Sequence, residues 1–137
     1  MRSKVNFFPE HNLVLLKFAR KIDVEDVLQL LTTTYERKEF DRVKFSILDL
    51  RNSETDFELS DLEKVIQFVR QHGDETKDVR AALLVNNPQF TAIASLFKQD
   101  IGIPGKEFSV NSTLSHTIQN FGLDLSPEEL EEMFASF

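Results

Sequence analysis

The sequence predicts an α/β domain: a mixed, mostly parallel sheet of about five strands, opened by an antiparallel hairpin and packed with four to five helices. Three observations carry this. Residues 43–50 and 79–85 are apolar runs of strand length, the first rich in β-branched and aromatic residues. Each run leads into a segment with a helix cap and an apolar stripe at helical spacing. Ahead of them, residues 4–8 and 13–19 read as two strands around the turn Pro9-Glu10-His11-Asn12, whose Pro and Asn favour reversal.

Along the chain, Asp23 is the N-cap of a first helix. Its inner stripe, Val24, Val27, Leu28, Leu31 and Tyr35, follows i, i+3, i+4, i+7, i+11 spacing. The run Val43, Phe45, Ile47, Leu48 and Leu50 is long enough to sit inside the sheet. Ser60 and Glu63 have the S-x-x-E spacing of a capping box for a second helix, with Leu62, Val65, Ile66 and Val69 inward and Gly73 at its end. After the strand at 79–85, Asn87 caps a third helix with Pro88 at the first position, where its missing N–H is not needed. Phe90, Ile93, Ala94 and Phe97 line that helix's inner face.

A short strand near Glu107–Val110 follows. Ser112 is expected to cap a fourth helix with Leu114, Ile118 and Phe121, closed by Gly122. Ser126-Pro127-Glu128-Glu129 starts a tail helix whose Leu130, Met133, Phe134 and Phe137 share one side. It packs on its own domain in one reading, and forms a dimer contact or a lid over an apolar pocket in another. Gly73, Gly102, Gly105 and Gly122 all fall between periodic segments. Periodicity does not give the order of strands in the sheet.

Length and composition bound the function. A chain of 137 residues suits one domain and buries roughly two-thirds of its unfolded surface, so a core forms without staples. Thirteen phenylalanines and no tryptophan make Phe a main core residue. The absence of cysteine excludes disulfides, thiolate metal sites and thiol catalysis. The net charge of −7 opposes nucleic-acid binding and adsorption to anionic lipid. No apolar run reaches membrane-spanning length and no secretory h-region is present, so the expected location is the cytoplasm. His11, His72 and His116 have no metal-ligand spacing, and the acidic stretch 54–58 lacks the pattern of a calcium loop. No nucleophile-elbow, P-loop or dinucleotide fingerprint occurs. No catalytic residue, metal or cofactor is expected.

In open α/β sheets, ligands meet the loops at the carboxyl ends of the parallel strands. Three such loops are expected here: Asp49-Leu50-Arg51-Asn52-Ser53, Asn86-Asn87 and Asn111-Ser112. Asp49, Arg51, Asn52, Ser53, Asn86 and Ser112 are therefore the candidate site, beside helix N-termini with free N–H groups. A structural account is open for the same residues: Asp49 pairs with Arg51, and Asn87 and Ser112 serve as caps. Ser60 likewise reads as a cap or as a hydroxyl whose phosphorylation would switch the domain.

Phe45-Ser46-Ile47-Leu48-Asp49-Leu50-Arg51, running into an acidic loop and a helix, resembles the STAS fold of the anti-sigma-factor antagonists. The closer resemblance is to the small SpoIIAA-like, STAS/SEC14-type bacterial domains. The opening hairpin Val5–Leu13 and the unit Ala81–Val85 followed by Pro88 are similar to theirs, and the likeness covers about residues 3–122. It implies residues 1–122 as a STAS-like domain, with a tail helix in 123–137 packed on it. It also implies a non-enzymatic regulatory or protein-interaction module. Its partner would be another protein or a second copy of the chain, held at the rim around Arg51–Ser60. In the antagonists a phosphorylatable serine opens the helix after the Leu-Asp-Leu strand. Ser60 stands in the matching place, without the Asp, the paired Ser and the Gly of that pattern. The same resemblance implies an alternative, a carrier or sensor of a small apolar or lipid ligand, with Phe90, Phe97 and Phe121 lining a cavity. An enzyme would need a concave rim holding Asp49, Arg51 and Asn86 with perturbed pKa values.

Overall fold

The computed structural model describes residues 2–76, 78–102 and 107–137. The chain opens with strand β1 (Lys4–Phe8), a 3-10 turn at Pro9–His11 and strand β2 (Leu13–Lys17). Asn12 completes the reversal in the left-handed region at φ 53°, a conformation its short polar side chain tolerates. Next come helix α1 (Val24–Glu36), a 3-10 stretch at Lys38–Arg42, strand β3 (Phe45–Asp49), helix α2 (Leu59–Gln71) and the one-turn helix α3 (Gly73–Thr76). Strand β4 (Arg80–Leu84), helix α4 (Pro88–Asp100), strand β5 (Phe108–Asn111) and helices α5 (Leu114–Phe121) and α6 (Pro127–Ala135) complete it. No helix of the described residues is long and apolar enough to cross a membrane.

The five strands lie in sequence order, β1-β2-β3-β4-β5. β1 runs antiparallel to β2, and the other pairs are parallel. The expected mixed sheet with its opening hairpin is therefore present, and β3 and β4 are interior neighbours in register from Phe45↔Arg80 to Asp49↔Leu84. Each parallel crossover steps one strand in the same direction. Crossovers of one hand then put α1, α2 and α4 on one face of the sheet. α5 and α6 return across the other.

Strand alternation separates two cores. Val14, Leu16 and Leu83 face α1, α2 and α4 together with Val27, Leu31, Val65, Val69, Phe90 and Phe97. Leu13, Leu15, Ile47, Ala82 and Leu84 face α5 and α6 with Leu114, Phe121, Leu130 and Phe134. The tail helix is thus docked on its own sheet: Leu130 and Phe134 are 0% and 1% exposed. Phe121 lies across the sheet from Phe90 and Phe97, so the three expected to line one cavity do not share a face.

Several local expectations are corrected. Ser60 is not the cap of α2. Glu58 is, with its N–H donating to the Asp61 carboxylate at 2.9 Å and its carbonyl accepting from Leu62 at 3.2 Å. Two boxes overlap in Glu-Leu-Ser-Asp-Leu-Glu, and the earlier one adds helical hydrogen bonds without changing the inner stripe. Ser112 does not cap α5. β5 runs on to Asn111, and Thr113 takes the N–H of His116 at 3.2 Å. α2 ends at Gln71 with His72 as its C-cap, just ahead of Gly73 as expected, and the chain then makes one further turn, Gly73–Thr76, as α3. Asp23, Asn87 and Ser126 cap as expected. Gly105 lies outside the described residues.

Candidate functional site

The carboxyl ends of β2, β3 and β4 form an open depression of about 710 Å³ lined by Lys17, Arg20, Asp49, Arg51, Asn86 and Glu131, among others. Asp49 is the last residue of β3 on the α6 side of the sheet and is 5% exposed. Both its oxygens are engaged by Arg51. The backbone N–H and Nε donate to Oδ1 at 3.0 and 2.9 Å, and Nη2 donates to Oδ2 at 2.9 Å. Arg51 reaches on to Glu131 of α6 at 3.1 and 3.3 Å and lies 5.6 Å from the Phe134 ring centre. These carboxylates, Asp49 foremost, hold the guanidinium proton more tightly than usual, although burial works the other way. The result is a clamp between the end of β3 and the tail helix.

The neighbouring loop is closed in the same manner. Asn52, at φ 65°, donates its backbone N–H to Asn86 Oδ1 at 3.0 Å, and its side-chain oxygen accepts from Asn86 Nδ2 at 3.1 Å. The Ser53 hydroxyl, in a residue 1% exposed, donates to the Ala19 carbonyl at 2.8 Å, and the Thr55 hydroxyl to the Ile22 carbonyl at 2.7 Å. Asn87 and Gln89 donate to the Ser53 and Thr55 carbonyls. Of the candidate residues, Asp49, Arg51, Asn52 and Asn86 come together in the depression, and Ser53 is buried beside them. Ser60 and Ser112 are exposed at the starts of α2 and α5 and do not line it. The polar side chains of this rim largely satisfy one another.

A second concave feature lies on the opposite side of the sheet, under α1, α2 and α4. It is an apolar cavity of about 100 Å³ with Ser46, Leu48 and Ala81 in its floor and Val65, Phe90 and Phe97 among its walls. Its origin is register. Ser46 and Ala81 are direct neighbours across β3 and β4, so two small side chains stand together where Leu or Val elsewhere fills the space. The helix layer does not seal it. Leu48, on the central strand, and Phe57 and Ile93 at the wall are only half-buried. Two of its lining hydroxyls are accounted for, Thr34 donating to the Leu30 carbonyl at 2.7 Å and Thr76 to that of His72 at 3.0 Å. Ser46 was not among the residues singled out from the sequence. Its signal, a lone hydroxyl in an apolar strand, has meaning only once the β3–β4 register is known.

At one end of this cavity Tyr35 packs against Phe40, Phe68 and His72, with ring centres 5.0, 6.1 and 5.3 Å away. Burial, reinforced by the charge of Glu75, raises its phenol pKa well above the ordinary value. A folded-state pKa above the unfolded one means that stability is intact below about pH 10 and falls as pH rises past it. As the chain's one tyrosine, it gives an unambiguous phenolate absorbance. The expected result is ionisation only together with alkaline unfolding. A phenolate forming near pH 10 in the folded protein would contradict this placement of Tyr35.

Among the described residues, no three His, Cys, Asp or Glu side chains gather into a metal site. The chain matches no family model and no curated protein significantly.

Proposed function

We propose that this chain is a non-catalytic, STAS-like binding domain of the cytoplasm that holds a small apolar ligand between its sheet and the α1–α2–α4 layer. One observation carries the reading: a central-strand leucine, Leu48, remains partly open to solvent at the floor of an otherwise apolar cavity. Interiors of this size normally close over such a residue. Apolar cavities of about 150 Å³ in other proteins take up benzene. The present one, at about 100 Å³ and open on one side, suits a single ring or a short branched chain. Toluene is therefore expected to stabilise the folded protein. At ten times its Kd the gain is about 1.4 kcal/mol, read as a melting temperature raised by about 4 °C. An unchanged melting temperature at near-saturating toluene would remove the proposal.

A second reading, a STAS-like module that binds a protein partner or a second copy of itself at the rim, draws on the depression around Arg20 and Asn86. Native mass spectrometry of freshly purified protein separates the two. A co-purified small molecule favours the first, and an empty chain or an empty dimer favours the second.

A further inference from the structure

Resting on the apolar-ligand reading, we propose that Ser46 is a hydrogen-bond anchor in the cavity floor, selecting a single-ring ligand that carries one hydroxyl over its hydrocarbon counterpart. Ser46 is 8% exposed and lines the cavity. Among the described residues its hydroxyl has no hydrogen-bond partner, yet no buried side-chain polar atom is sealed away without one. The hydroxyl oxygen therefore keeps some accessible surface, and the cavity is the space that Ser46 lines.

Water meets few donors there: an ordered internal water needs two to four polar partners, and the neighbouring Thr34 and Thr76 hydroxyls donate to backbone carbonyls and offer only acceptor lone pairs. The surrounding wall is apolar and aromatic, including Phe97 and Phe108 in an edge-to-face pair at 5.2 Å. Such a wall offers faces and edges to a ring. A phenol fits this combination. Its ring packs against phenylalanine, and its hydroxyl meets the Ser46 hydroxyl in the floor. A hydrocarbon of the same size leaves Ser46 unpaired beneath it, with the desolvation penalty that entails.

The test is a cycle of two ligands and two proteins, phenol and toluene against the wild type and Ser46→Ala, with affinities from calorimetry or melting shifts. Water solvates phenol better than toluene, so the ratio of the two affinities is the informative quantity. In Ser46→Ala the phenol-to-toluene ratio is expected to fall about fivefold, the share of one neutral hydrogen bond. Ser46→Thr and Ser46→Val form a second pair, matched in shape and differing in the hydroxyl, with the higher ratio expected for Thr. Equal ratios within both pairs, with toluene still bound, would overturn the role of Ser46 and leave the cavity as a binding site. Failure of both ligands to bind the wild type would overturn the cavity reading as well.

Discussion

Replacing Phe134 by alanine is expected to destabilise the domain by about 3–5 kcal/mol, the range for emptying a buried phenylalanine site. Phe134 is 1% exposed and, with Leu130, forms the inner surface of α6 against Leu13, Leu15, Ile47 and Leu84. α6 holds only nine residues, too few to persist as a helix without that packing. The loss should therefore appear as a lower urea midpoint together with rapid amide exchange throughout 127–135. A change under about 1 kcal/mol, the centre of the distribution for point substitutions of all kinds, would mean that α6 does not cover this face of the sheet in solution.

Removing Arg51 is the second large effect. Arg51→Ala leaves the Asp49 carboxylate, 5% exposed, without the two side-chain hydrogen bonds donated by Nε and Nη2, while the backbone N–H of residue 51 stays. Stripping one member from a buried ion pair costs about 3–5 kcal/mol. The Arg51 side chain keeps 20% of its surface in water, so the lower end, about 3 kcal/mol, is expected here. The double variant Asp49→Ala, Arg51→Ala should recover part of this, because no charge is left stranded. Glu131, 57% exposed, contributes little, and Glu131→Gln should fall within about 0.5 kcal/mol of the wild type. Chemical denaturation of the four proteins checks the pattern. Equal stability of Arg51→Ala and the wild type would remove the clamp.

The elements themselves were legible because their signals are local. Apolar runs marked β3 and β4, Asp23, Asn87 and Ser126 marked helix starts, and i, i+3, i+4 stripes marked the inner faces of α1 and α2. The overlapping caps at Glu58/Ser60 and the adjacent Ser112/Thr113 were not separable in the same way. Each pair offers two nearly equivalent acceptors, and the choice depends on where the preceding strand or loop ends. Faces and neighbours were out of reach because they are set by strand order. Phe90, Phe97 and Phe121 read alike as inward-facing helix residues, yet the consecutive order puts Phe121 beneath the sheet and the others above it. The rim was foreseeable from the carboxyl-end rule, and Asp49, Arg51, Asn52 and Asn86 do meet there. The cavity was not, since it depends on Ser46 and Ala81, 35 positions apart, landing side by side.

The two-faced sheet gives the ligand proposal its most direct measurement: methyl resonances followed by NMR during a toluene titration. Leu48, Val65, Val69, Leu83 and Ile93 border the cavity. Leu13, Leu15, Ile47 and Leu130 lie on the other side of the same strands. Saturable shifts confined to the first group are the expected result. Shifts that never saturate, or that are as large for Ile47 and Leu130 as for Leu48 and Leu83, would contradict a binding site between the sheet and α1, α2 and α4.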